Sequence, residues 1–247
     1  MKKIIPPLVG LLLTVMLTAC MELPEVPPEF IDDGALPVAD QSADDAAATD
    51  ASGTDPSNGD SSDTTQDYPR PEHLVLNEIY YDAPSADTDG ELFIELAGSP
   101  GGWLAAYQIR MVNGSDGGFT DVIELPDTAF VNDAGLFVIA DGRTGALETT
   151  QVSQFDWIDN FDPQNGPDGM QLLDEGGFLL DSVVYGDGAV QLSEDGLIVG
   201  EGSPAPDVSG GRSISRFPAG FDTDENSIDF LEGVPTPGAE YLPAEAP

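Results

Sequence analysis

Between Leu74 and Leu96 the residues alternate in a way that leaves few folds open. In Glu91-Leu92-Phe93-Ile94-Glu95-Leu96, the apolar Leu92, Ile94 and Leu96 alternate with Glu91, Phe93 and Glu95. That period of two belongs to a strand with one apolar face. Upstream, Leu74-Val75-Leu76-Asn77-Glu78-Ile79-Tyr80-Tyr81 is rich in the β-branched and aromatic residues that suit a partner strand. Asp82 to Gly90, between them, is a cluster of turn formers. The two runs predict the opening strands of an antiparallel β-sandwich.

Later segments repeat the theme. Tyr107 to Val112 alternates and breaks at Asn113-Gly114, and Phe119 to Leu125 stops at Pro126-Asp127. Leu136-Phe137-Val138-Ile139-Ala140 is a continuous apolar run, as expected for a strand in a sandwich core. Met170 to Leu173 and Phe178 to Tyr185 flank Asp174-Glu175-Gly176-Gly177, a four-residue hairpin connection. Ser213 to Phe217 reads as a late strand. The least regular stretch, Arg143 to Gly169, carries Phe155, Trp157 and Phe161, which are expected to cover an edge of the core. No segment has a sustained helical period. Short strands at this spacing predict an all-β, immunoglobulin-like antiparallel β-sandwich over residues 73–241, with 242–247 as a C-terminal tail. A domain of this length buries roughly 70% of its unfolded surface.

The N-terminal part has a different composition. Met1-Lys2-Lys3 is a short positive segment, and Ile4 to Leu17 is apolar but too short for a firm bilayer span. It closes with Leu17-Thr18-Ala19-Cys20, which resembles the lipobox of bacterial lipoproteins. The resemblance implies a signal peptide over 1–19, cleavage before Cys20, and acylation of its thiol. An ordinary secretory signal with a chance cysteine is the alternative. Each buried acyl methylene adds about 0.8 kcal/mol, so several chains would hold the protein durably on a membrane. Met21 follows the cysteine, where an Asp would retain an enteric-type lipoprotein at the inner membrane. The resemblance therefore points to a bacterial envelope, at the outer membrane or cell surface. Residues 20–72 are rich in Asp, Ala, Ser, Thr and Pro, with few large apolar residues after Val38. Such a segment cannot bury enough apolar surface to offset its ordering, and its aspartates repel one another. A disordered acidic tether is expected there.

Charge narrows the partners. The chain has 46 acidic and seven basic residues. Beyond residue 19 there are five arginines and no lysine against all 46 acids, a net charge of −41. Nucleic-acid affinity rests on Lys and Arg neutralising phosphates, so nucleic acid is not an expected partner. Cations or basic partners would be attracted. With one cysteine, no intrachain disulfide can form.

Taken together, several short motifs resemble the lamin tail domain, an immunoglobulin-like sandwich also found in bacterial surface proteins. They are Leu76-Asn77-Glu78-Ile79, Glu91 to Leu96, Gly102-Trp103, Gly135 to Ile139, Leu180-Asp181-Ser182-Val183 and Gly211 to Arg216. The close is similar too, with Asp222 to Asn226, Asp229-Phe230 and Thr236-Pro237-Gly238-Ala239. Leu92-Phe93 departs from the family, which more often has a Trp before the apolar residue, and the insert before Gly169 is long. The resemblance implies a non-catalytic module used for binding, adhesion or scaffolding.

The residues themselves offer little catalytic chemistry. A nucleophilic triad needs a base, and the one histidine, His73, lies at the junction of tether and domain. Zinc would need several Cys or His ligands. No enzyme activity and no resident cofactor are expected, with Ca²⁺ kept open. Asp222, Asp224 and Asn226, and separately Asp87 and Asp89 with Asp82 nearby, place oxygen donors at alternating positions as a hard cation requires. The competing reading is that these side chains cap their own turns. Glu78, Glu95 and Arg216 fall inside strands, and a buried acid needs a partner. Arg216 is expected to pair with Glu95 or Glu78, unless all three face solvent. The resulting expectation is a lipid-anchored protein that presents a binding domain to an envelope or extracellular protein. A Ca²⁺-dependent matrix protein and an accessory to a secreted hydrolase are the alternatives.

Overall fold

Every long strand expected from the alternation is present, and the pairing shows which side chains meet. The computed structural model describes residues 68–243, apart from Ser85, Ala86 and Thr88. The stretches expected to be signal peptide and tether, with Cys20, lie outside the described residues up to residue 67, as do residues 244–247 of the expected tail. The larger sheet contains β1 (Leu74–Tyr80), β2 (Phe93–Gly98), β5 (Leu136–Asp141), β6 (Trp157–Asp159), β11 (Ser213–Arg216) and β12 (Phe230–Gly233). Its order is β12-β11-β1-β2-β5-β6, antiparallel except where β6 runs parallel to β5. The second sheet has β3 (Gln108–Asn113), β4 (Phe119–Glu124), β7 (Asp168–Leu173) and β8 (Leu179–Tyr185), in the order β4-β3-β7-β8. A small ribbon, β9 (Gln191–Leu192) with β10 (Ile198–Val199), and one helical turn, α1 (Asn226–Asp229), complete the domain.

The two sheets bury the alternating residues between them, and the chain is an all-β sandwich. Leu76, Ile79, Ile94, Leu96, Ile139 and Ile214 from one layer join Ile109, Met111, Ile123, Met170, Leu172 and Val183 from the other in one core. Each such side chain contributes about 1.5–3 kcal/mol on leaving water. Tyr81 stacks on Tyr185 with ring centroids 4.3 Å apart inside this core. In the irregular insert Phe161 is buried and Trp157 packs against the core, as expected, whereas Phe155 is exposed.

A bulge in β1 decides the geometry that follows. Leu76 pairs with Leu96, yet Glu78 pairs with Glu95, so Asn77 is an extra residue opposite β2. The insertion turns Glu78 onto the face that carries Glu95, Ser213 and Ser215. That face points away from the core, while Ile214 and Arg216, at alternate positions of β11, point into it. The outer face is covered by the C-terminal segment, whose Thr236 and Gly238 reach Glu78 and Glu95.

The chain enters the domain at a fixed point. Tyr68 lies 5.5 Å from the Trp103 ring and 4.9 Å from Phe130. Arg70 lies over Trp103 at 4.4 Å and donates to the Trp103 and Ala105 carbonyls. Residues assigned to the lead-in from sequence therefore pack on the sandwich from Tyr68 onward.

Candidate functional site

Arg216 is wholly buried between the sheets, and its guanidinium gathers one group after another. Nε donates to the Leu76 carbonyl at 2.8 Å, and Nη2 donates to both oxygens of Asp181 on β8, at 3.0 and 3.1 Å. Nη1 donates to the Phe221 carbonyl, Asp222 and Asp229. Its Cζ also lies 4.5 Å over the Phe230 ring, a cation–π contact. The expected pairing with Glu95 or Glu78 is thus corrected. The alternation of β2 already points Glu95 to the opposite face of the sheet, the bulge at Asn77 sends Glu78 there too, and the partners of Arg216 are Asp181, Asp222 and Asp229.

Four carboxylates crowd this one cation. Burial works against the charge of Asp229, but the Thr223 hydroxyl and amide, with Arg216, outweigh it and hold its carboxyl below the usual range. Burial raises Asp181, with Arg216 and the Leu76 amide pulling the other way. Glu201 is the fourth. Burial, then Asp181 and Asp222, push its carboxyl up to about 8. Its Oε2 is buried without a hydrogen-bond partner. Oxygens of Asp181, Glu201 and Asp222 lie within 4.8 Å of one another, a spacing that ligands in the oxygen shell of one hard cation can have.

The residues picked from sequence as metal ligands separate here. Asp222 is part of this centre. Asp224, at φ 58°, turns the chain and donates its amide to Asp222. Asn226 has no lone pair to spare for a metal: Oδ1 accepts from Val184 and Glu201 amides, and Nδ2 donates to the Ser182 carbonyl. It is a structural bracket between α1 and β8, which corrects its assignment as a ligand. Asp87 caps its own loop by accepting from the Ala83 amide and sits with Asp82 near Asn165. Asp87, Asp121 and Asp162 line one cavity with Asn165. Asp89 contributes its carbonyl, which accepts from Gln151. Sequence reasoning missed Asp181 and Glu201. Asp181 sits in the quoted Leu180-Asp181-Ser182-Val183 run, and an acid among strand apolars was the available signal. Glu201 lies in a loop and carries none.

The second constellation is on the outer face. Glu78 accepts from the Ser213 hydroxyl and the Thr236 amide through Oε1, and from the Thr236 hydroxyl through Oε2. Glu95 accepts from the Asn77 side-chain amide through Oε1 and the Gly238 amide through Oε2. Burial raises both carboxyls, Glu95 to about 7, where Glu78 and Asp156 add to the rise. Their hydrogen-bond partners are all neutral. His73 also has a neutral partner, the Gly220 carbonyl at 2.9 Å.

In comparisons with known proteins, no family model and no curated protein matches this chain.

Proposed function

We propose that the protein is a lipid-anchored component of a bacterial envelope that presents a non-catalytic, lamin-tail-like β-sandwich to an envelope or extracellular protein. One structural observation carries this reading. The chain enters the sandwich through a clamp in which Tyr68 packs on Trp103 and Phe130 and Arg70 is held by two carbonyls. Such a clamp suits a tethered domain, because a pull on the lead-in would be borne by these packed residues before it reached the first strand. The sequence supplies the other end, Leu17-Thr18-Ala19-Cys20, with Cys20 as the acylated residue. The order of the motifs that resemble the lamin tail domain supports the choice of module.

The test is metabolic labelling with a clickable fatty acid, followed by membrane fractionation. Wild-type protein should take the label and pellet with membranes, and Cys20→Ser should lose the label and appear in the soluble fraction. A Cys20→Ser chain that pellets as before would refute lipid anchoring. Binding is tested by retention of one specific envelope protein on the folded chain but not on the unfolded chain.

A second reading, a Ca²⁺-dependent matrix protein, is favoured by the unpartnered Glu201 Oε2 beside Asp181 and Asp222. Calorimetry at millimolar Ca²⁺ that shows neither heat nor a melting shift would end it.

A further inference from the structure

We propose that the C-terminal segment Pro235–Gly238 is a latch, held over the outer face of the larger sheet by a proton shared within the buried Glu78–Glu95 pair. Glu78 and Glu95 are direct partners in the β1–β2 register, so their side chains leave the same face side by side. They are 1% and 0% exposed. Like charges directly opposite each other on neighbouring strands are destabilising, and more so away from water. Among the described residues, no positive charge is among the groups that act on the pair. β11 presents Ser213 and Ser215, the bulge presents Asn77, the latch presents Thr236 and Gly238, and Asp156, which also acts on Glu95, is negative. Arg216 faces the core and is saturated there.

The contacts accommodate one proton. Ser213 and Thr236 meet Glu78 through hydroxyls, which donate to a carboxylate and can turn to accept from a carboxylic acid. Glu95 meets only N–H donors and keeps its two bonds as the ionised partner. The singly protonated pair therefore satisfies every contact to the latch, whereas the doubly ionised pair adds repulsion that latch release would relieve by admitting water. Release would also open a cavity of about 390 Å³ in which Pro235 and Pro237 form one wall and Tyr80 and Phe93 another.

The sign follows from linkage. The two carboxyls titrate as a pair, and a pair that holds one proton in the closed state stabilises closure fully below the ordinary carboxyl value, near 4.5, a contribution that is gone once the pH has passed the raised midpoint, about 7 at Glu95. Amide hydrogen exchange on the full chain, corrected for intrinsic rates, reads this directly. Protection of Thr236 and Gly238 should fall about tenfold per pH unit between roughly pH 5 and 7 and then level off, while β3 and β7 stay protected. Carbon-13 titration of the two carboxyls needs no substitution. A midpoint above 6, shared with the Gly238 amide signal, supports the latch. Midpoints near 4.5, or latch protection unchanged across pH 5–8, overturn it.

Discussion

Replacing Arg216 by alanine removes the one cation that touches Asp181, Asp222 and Asp229 together. Asp181 and Asp229 have fully buried side chains, so water cannot take over the missing role. Breaking a buried pair by deleting one partner costs about 3–5 kcal/mol, mostly from the charge left behind. The loss of donors to the Leu76 and Phe221 carbonyls and of contact with Phe230 places Arg216→Ala toward the upper end. For a domain of this size each kcal/mol moves the melting midpoint by about 2–4 °C, so a drop of about 6–20 °C is expected. Urea denaturation should show the loss as a lower midpoint at an unchanged slope. The geometry also predicts who is coupled. In double-mutant cycles, Arg216→Ala with Asp181→Ala should show an interaction of about 0.5–3 kcal/mol, while Arg216→Ala with Glu95→Ala should be additive to about 0.5 kcal/mol. A cost below about 1 kcal/mol for Arg216→Ala, or coupling to Glu95 as large as to Asp181, would refute the argument.

Two further substitutions probe the frame around this centre. Asn226→Ala strips the Val184 and Glu201 amides and the Ser182 carbonyl of their partner, and should cost about 2–6 kcal/mol in denaturant melts, since the Val184 amide and Ser182 carbonyl are buried and each such group left unpaired costs about 1–3. An Asn226→Ala variant as stable as the parent would show that α1 does not need its bracket. At Gly114 a Cβ would overlap the Pro167 backbone carbonyl, which cannot swing aside as a side-chain tip can. Gly114→Ala should therefore destabilise by about 1–3 kcal/mol, and a neutral result in the same melts would count against the close approach of these two loops.

The long strands were legible because alternation survives without knowledge of partners. Leu92, Ile94 and Leu96 face the core as their spacing requires, and Asp174 to Gly177 makes its hairpin because the local turn chemistry suffices. The short pieces were not. β6, at Trp157–Asp159, exists because β5 offers it a parallel edge, and β12 because β11 offers it an antiparallel one. Three or four residues carry too little periodicity to be seen alone. The buried centre was half visible: Arg216 in a strand announced a buried cation, but which acids would meet it was not local information.

Sequence by itself determined the layers of this protein, because burying apolar faces at a period of two is a property each segment carries internally. Tertiary structure alone decided which charges face each other. One extra residue at Asn77 turned Glu78 outward toward Glu95, and the meeting of β8 with β11 across the core gave Arg216 its aspartates. Coulombic and hydrogen-bond partners sit as far as 158 residues apart along the chain, so no window of sequence contains both ends of the interaction.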